Sequence, residues 1–247
     1  MVLHPPFFGT RSIEKVSLET LVSYINRKFL FHVLWKFKGS ATAEAEAILR
    51  RLILEERQKH LIDAKAVYGY FLCQSVGDEL IVYSDAKIEI CRFEFPVRSD
   101  KPSLARYFQT TSDVVAFQLV TAGQRVIDYA NELLARDQYQ DYFYWQGLAA
   151  AVAESMAEFI HRHIRVELGF VSEEPGSIEE FFQSNQSKYR GERFSFGYPA
   201  CPNLADQAKV VKLLDVSRIG VKLSESVELV PEYSTSAMII LNPDAKI

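Results

Sequence analysis

The sequence predicts an α+β fold, a single domain in which a central antiparallel sheet is packed against helices. Residues 66–120 contain several apolar or alternating segments with the two-residue period of β-strands. Helical periodicity flanks this block, over residues 42–62 and 124–165. Neither an internal repeat nor a linker-like composition divides the 247 residues. We therefore expect one domain over residues 1–247.

The predicted helices rest on capping residues and amphipathic spacing. Ser17 is a favourable N-cap for a short first helix, with Glu19 in its first turn. A long amphipathic helix is expected from Thr42 to about Ile62. The tract 124–165 is expected to break near residues 137–141, where strong helix formers are fewer. Two shorter helices are expected near Ile178–Phe182 and from Asn203 to about Asp215.

The predicted strands are apolar runs bounded by turn residues. Gly77 and Asp78 form a turn signal between two such runs, which predicts a hairpin. Periodicity cannot assign the aromatic run Phe29–Trp35 to a helix or a strand. The predicted strands are Ala66–Cys73, Leu80–Tyr83, Ile88–Phe95, Val114–Val120, Lys222–Ser226 and Thr235–Leu241.

The composition is that of a soluble globular protein, with 48% hydrophobic and 24% charged residues. A net charge of −4 and a pI near 5.8 argue against a nucleic-acid-binding surface. Cys73, Cys91 and Cys201 lack metal-ligand spacing, and their odd number without a secretory leader predicts free thiols in the cytoplasm. No run approaches the roughly 18 apolar residues of a membrane span.

The segment from Tyr189 to Asn203 is the most unusual stretch of the chain. Pro199 and Pro202 exclude a helix there, because each fixes its own φ and lacks an amide proton. Gly197 and Ala200 leave the backbone accessible to a small ligand, and Arg193 offers a planar fork suited to a carboxylate. The alternative is a proline-rich connector leading to the helix that Asn203 caps.

One face of the predicted second long helix carries Glu154, Glu158, His161 and Arg165 at helical spacing. This stripe is either a solvated, ion-paired surface or a set of carboxylates facing a cationic ligand. We expect the part around Glu158, His161 and Arg165 to be exposed and to contact a partner. The Glu-x-x-His pattern does not predict a metal site, because such sites need a second copy on a facing helix.

Other catalytic patterns are weak or missing. Thr121-Ala-Gly-Gln124 is a strand-to-helix turn with a single glycine, which is insufficient for a dinucleotide-binding fingerprint. No nucleophile elbow or Cys–His pairing stands out. The sequence also lacks a cobalt-ligating D-x-H-x-x-G motif, a flavin motif and iron–sulfur cysteines.

Several segments together resemble the activation domain of cobalamin-dependent methionine synthase. That family's pattern is R-x-x-x-G-Y-P-A-C-P, then a helix, then I-G-x-x-L-T-E-S and a later proline. The first residues are also similar to the start of the family, through Pro5-Pro-Phe-Phe-Gly-Thr-Arg11 and Tyr24-Ile-Asn-Arg27. The matching segments are Arg193-Phe-Ser-Phe-Gly-Tyr-Pro-Ala-Cys-Pro202, Leu213-Leu214, Arg218-Ile-Gly-Val-Lys-Leu-Ser-Glu-Ser226 and Pro231.

The resemblance implies a module that binds S-adenosylmethionine (SAM). In that family, cobalamin oxidised to inactive cob(II)alamin is rescued by one electron and a methyl group from SAM. The implied partners are a cobalamin-binding domain or subunit of methionine synthase, and flavodoxin or an equivalent reductase. The implied protein contribution is positioning of the methyl group, so no general acid or base and no metal ligand is assigned to this chain.

The resemblance also implies the SAM-binding residues. Arg193 matches the arginine that engages the ligand, and Ser195 lies where the family uses main-chain contacts. Asn26 stands where some relatives carry Asp, so an amide carbonyl replaces a carboxylate there. The full set is Asn26, Glu154, Arg193, Ser195, Gly197, Tyr198, Ala200 and Ile247.

The C-terminus departs from the family pattern. Asn242 stands in place of a histidine, and the chain ends at Ile247 where relatives continue with the tyrosine that flanks the adenosine. This departure leaves open an alternative reading, a non-catalytic docking scaffold of the same fold that has lost SAM binding. An independent methyltransferase with its own acceptor site has no supporting feature in the sequence.

Overall fold

The computed structural model describes residues 3–39, 41–99, 101–174, 176–178, 180 and 189–245. Its elements, in chain order, are β1 (Gly9–Ile13), α1 (Leu18–Ser23), a π-helix (Phe29–Leu34), α2 (Thr42–Lys59), β2 (Lys65–Val76), β3 (Glu79–Tyr83), β4 (Glu89–Glu94), a 3₁₀ turn (Leu104–Tyr107), β5 (Asp113–Thr121), α3 (Gln124–Ala135), α4 (Tyr139–Glu167), a 3₁₀ turn (Val171–Glu173), β6 (Glu192–Phe194), a 3₁₀ turn (Leu204–Asp206), α5 (Gln207–Leu214), a 3₁₀ turn (Val216–Ile219), β7 (Lys222–Leu223), β8 (Leu229–Val230) and β9 (Ser234–Ile240). The predicted α+β class is confirmed.

Among the described residues, the main sheet has seven strands, and every pairing in it is antiparallel. Its order is β4-β3-β2-β5-β9-β6, with β1 added beside β2. The long strand β2 pairs with β1 through its first half and with β3 through its second half, while β5 covers its other edge. β9 joins β5 to β6, which places the segment that begins at Glu192 at one end of the sheet. β7 and β8 form a separate small sheet.

Side chains alternate between two hydrophobic clusters, one on each face of the sheet. On β2, Tyr68 and Tyr70 belong to the first cluster, together with residues of α1 to α4. Val67 and Phe71 point the other way, into a second cluster covered by α5 and short 3₁₀ turns. The two-residue strand period thus separates a face that packs on the long helices from a face that packs on the C-terminal part of the chain.

Local signals explain where several helices begin and end. The Ser17 hydroxyl accepts the amide of Thr20, as an N-cap should. α2 ends at Lys59, earlier than predicted, because His60 is left-handed with φ 52°. The buried carboxylate of Glu56 then accepts the amides of Leu61 and Ile62, which satisfies donors just beyond the helix. The predicted break between α3 and α4 is confirmed, with Asp137 at φ 59°.

Some elements differ from the sequence predictions. The run Phe29–Leu34, unassigned from its pattern, forms a π-helix. The expected helix from Asn203 begins as a 3₁₀ turn, in which the Asn203 side chain accepts the amide of Ala205, and becomes α-helical only at Gln207. The strand predicted over residues 222–226 is shorter, and the helix predicted over 178–182 falls mostly outside the described residues. β1, β6 and β8 were not predicted as strands.

Candidate functional site

The site is built around Arg193, whose position follows from the alternation of strand β6. Arg193 lies opposite Ile239 of β9. Its neighbour Phe194 and the following Phe196 are buried in the second hydrophobic cluster. Because adjacent strand residues point to opposite faces, the Arg193 side chain is directed to the other face, on which α4 packs.

Arg193 lies between two carboxylates of α4. Its Nη2 atom is 3.6 Å from Oε2 of Glu154 and 3.4 Å from Oε2 of Glu158. These glutamates are one helical turn apart and share a face of the helix. The Glu154 side chain is 52% exposed and that of Arg193 is 24% exposed, whereas that of Glu158 is only 9% exposed. A ligand arriving from solvent can therefore reach Arg193 and Glu154.

The chain after Arg193 forms a tight turn. Gly197 has φ +88°, a conformation that favours glycine, and its amide donates to the carbonyl of Cys201 at 2.8 Å. The Cys201 amide donates back to the carbonyl of Tyr198 at 2.9 Å. Cys201 is buried and anchors the turn, while the Tyr198 side chain is 67% exposed at its tip. Burial raises the pKa of the Cys201 thiol to about 12, so this thiol is protonated near neutral pH.

The predicted site residues are brought together only in part. Glu154 and Arg193 are in contact, and Ser195, Gly197, Tyr198 and Ala200 continue from Arg193 into the turn. Asn26 is exposed, and its side-chain oxygen accepts the amide of Phe29 at 3.0 Å. Ile247 lies outside the described residues.

Asn242, which departs from the family pattern, makes two side-chain hydrogen bonds. Its side-chain amide donates to the carbonyl of Tyr107 at 3.0 Å, and its side-chain oxygen accepts the amide of Asp244 at 3.0 Å. Asn242 also lines a cavity of about 270 Å³ together with Arg190 and Leu241. The carboxamide thus fastens the C-terminal segment to the loop that contains Tyr107.

The prediction of an exposed stripe on α4 was wrong. Glu158, His161 and Arg165 are buried, at 7%, 2% and 0% exposure. The segment that follows α4 covers them, because Glu174 binds Arg165 and the Tyr189 ring stacks on its guanidinium at 4.1 Å. Sequence spacing placed these residues on one helix face correctly, but it gave no signal of what covers that face.

Burial and charge act in opposite directions on Glu158. Burial raises the pKa of the carboxyl, because the charged form loses hydration, and this is the larger effect. Arg193 and Arg165 lower that pKa, because a nearby positive charge favours the carboxylate. The two arginines therefore oppose the effect of burial, and the net shift of the Glu158 pKa is upward.

A cavity of about 150 Å³ lies next to this charged group, and Tyr24, Glu158, Arg162, Arg165 and Glu174 are part of its lining. Within the described ranges, no group of three or more His, Cys, Asp or Glu side chains is arranged to hold a metal ion. Over the same residues, none of the helices combines the length and apolar character needed to cross a membrane.

Comparison with solved structures finds a fold match over the whole chain. The crystal structure of the MetH reactivation domain bound to AdoHcy superposes with a TM-score of 0.88 at 25% sequence identity. The match covers 100% of this chain and 82% of that one.

Sequence comparisons agree with this match. Methionine synthase of Mycobacterium tuberculosis is 35% identical over 98% of this chain, and that of Mycobacterium leprae is 32% identical over 98%. The chain spans only 23% and 22% of the length of these two relatives. The family model for the activation domain of vitamin B12 dependent methionine synthase matches residues 17–247. The chain therefore belongs to the family of vitamin B12-dependent methionine synthase activation domains.

Proposed function

We propose that residues 1–247 form one activation-type domain that binds SAM and places its methyl group for the reductive methylation of cob(II)alamin. Cob(II)alamin is the substrate and is held by a cobalamin-binding domain or subunit of methionine synthase. The electron comes from flavodoxin or an equivalent reductase. The observation that carries this proposal is the contact of Arg193 with Glu154 beside the turn at Gly197.

The charges at the site suit the amino-acid end of SAM. A guanidinium forms charge-assisted hydrogen bonds with a carboxylate, and a carboxylate attracts an ammonium or a sulfonium. Arg193 provides the guanidinium and Glu154 the carboxylate, and both side chains are reachable from solvent. The backbone of the turn that follows Arg193 is available for main-chain contacts. The related structure bound to AdoHcy, which is SAM without its methyl group, supports this choice of ligand.

The chain's contribution to the reaction is positioning. Holding the methyl donor in line with the acceptor raises its effective concentration, and the acceptor supplies the nucleophilic chemistry. We therefore propose that the chain does not turn over alone. The three cysteines are free, which supports function in a reducing cytoplasm.

The docking-scaffold alternative is favoured by one observation. The side-chain oxygen of Asn26 accepts the amide of Phe29, and Asn26 offers no negative charge at a position where some relatives carry Asp. A scaffold of this kind would bind the cobalamin-bearing partner without binding SAM.

A reconstituted methyl-transfer assay tests the proposal. The chain is combined with a cobalamin domain held as cob(II)alamin, reduced flavodoxin and SAM, and methylcobalamin is followed by its absorbance. We expect methylcobalamin to form only when all four components are present. If it forms equally fast without this chain, the proposed role in reductive methylation fails.

A further inference from the structure

We infer that Glu158 is a positioning residue for Arg193: it belongs to a buried charge chain that fixes the arginine at the SAM site. This inference rests on the proposed function, because it concerns how the SAM-binding arginine is oriented. The chain of alternating charges runs from Arg193 through Glu158 and Arg165 to Glu174.

Arg193 has two carboxylate neighbours whose environments differ. Glu154 is half exposed, so its side chain is free to turn towards an incoming ligand. Glu158 is nearly covered, with Oε2 3.4 Å from Nη2 of Arg193. Its Oε1 atom has no hydrogen-bond partner among the residues that the structure describes, and it lies 3.7 Å from Nη1 of Arg165. Glu158 is thus placed to hold the guanidinium while Glu154 is available to the ligand.

Arg165 lies on the other side of Glu158, with Nη1 3.7 Å from Oε1. It is fully buried, and its Nε and Nη2 atoms both donate to the carboxylate of Glu174, the latter at 3.0 Å. Its guanidinium also lies over the ring of Tyr189, which is four residues before Arg193. Arg165 therefore lies beside both the carboxylate of Glu158 and the segment that leads into β6.

The residues just before Arg193 also pack closely against α4. The Tyr189 ring meets the His161 ring edge-on at 5.9 Å. At Gly191, where φ is +94°, an added Cβ would lie 3.3 Å from Nε2 of His161 and 3.1 Å from the side chain of Leu241. The strand that carries Arg193 and the helix that carries Glu158 are consequently held at a fixed separation, which gives the contact between their side chains a defined geometry.

A role in positioning also explains why charges are buried here. Burying a charged group is costly, and buried ion pairs can often be replaced by apolar residues without loss of stability. A buried ion pair can still raise ligand affinity when it holds a binding residue in a single orientation. A residue that is already in its bound orientation loses less conformational entropy when the ligand binds.

A double-mutant cycle on SAM affinity tests the inference. Glu158→Gln keeps the shape of the side chain and removes its charge. We expect this change to weaken SAM binding about fivefold in the wild-type background, a coupling typical of contacting residues. In the Arg193→Ala background the same change should alter affinity less than about twofold, because there is no longer an arginine to orient. Affinities are measured by calorimetric titration of the 247-residue chain.

Glu167→Gln is the matched control, because Glu167 lies on the same helix but accepts hydrogen bonds from Tyr68 and Tyr70. We expect it to leave SAM affinity unchanged. If Glu158→Gln does not fold by circular dichroism, Glu158→Asp replaces it in the cycle, since it keeps the charge but withdraws it from Arg193.

Three outcomes would overturn the inference while the wild-type chain still binds SAM. They are an unchanged affinity in Glu158→Gln, an equal loss in both backgrounds, and an equal loss in the Glu167→Gln control. An equal loss in both backgrounds would mean that Glu158 acts on the ligand directly or through the fold. A wild-type chain that does not bind SAM would instead refute the proposed function, and this inference with it.

Discussion

Arg193→Ala is expected to weaken SAM binding about tenfold or more. Each hydrogen bond from a charged group contributes roughly 1.5–3 kcal/mol, and the substitution removes the guanidinium that we propose binds the ligand's carboxylate. It also leaves the half-exposed Glu154 without this cation, which adds repulsion towards that carboxylate. Calorimetric titration of the folded variant measures the change.

Two further variants show whether the loss of affinity is specific to the Arg193 guanidinium. Arg92→Ala is the matched control, because Arg92 is an exposed arginine on β4 that pairs with Glu79 and Glu89, and its loss should leave SAM affinity unchanged. Arg193→Lys keeps the charge but loses the planar fork, so an intermediate affinity is expected. An Arg193→Ala variant with wild-type affinity would show that the arginine has only a structural role.

Arg165→Leu is expected to lower the free energy of unfolding by about 3–5 kcal/mol, the usual effect of removing one partner from a buried ion pair. Arg165 is fully buried and is the cation that Glu158 and Glu174 share inside the protein. Leucine fills part of the space but leaves both carboxylates without this partner. Water cannot easily take the place of this cation, because the Glu174 side chain is only 3% exposed.

The control is Arg162→Leu, three residues earlier on the same helix. Arg162 also approaches Glu174, at 3.4 Å, but its side chain is 44% exposed, so its loss should change stability by no more than about 1 kcal/mol. Urea denaturation followed by circular dichroism compares the two variants. Equal, small effects would mean that the buried charge chain contributes little to folding.

The sheet was largely predictable from the sequence, because its central strands are long and apolar. Ala66–Cys73 and Val114–Val120 were identified by composition and lie at the centre of the sheet, in β2 and β5. The strands β6 and β8 carry too few residues to show a period, and β1, with the largely polar sequence Gly-Thr-Arg-Ser-Ile, has no apolar run. Each of the three pairs with a neighbouring strand. The end of α2 depends on a side-chain cap from Glu56, which periodicity cannot reveal.

The parts of the candidate site that lie within recognisable sequence patterns could be predicted. Arg193 and the turn at Gly197 were identified from their own sequence, and Glu154 from helical spacing together with the family resemblance. The burial of Glu158, His161 and Arg165 was not predictable, because it depends on the chain around Glu174 and Tyr189 folding back over α4. A mixed-charge helix face looks the same in sequence whether water or another segment covers it.

Calorimetric titration of the wild-type chain with SAM decides between the proposed SAM-binding domain and a docking scaffold. We expect saturable binding at one site per chain, with AdoHcy competing for that site and with no tight binding of free cobalamin. Saturation by SAM would also establish that Asn26, with its side chain engaged at Phe29, is compatible with binding. A folded chain that shows no saturable binding of SAM would contradict the account and favour a docking scaffold.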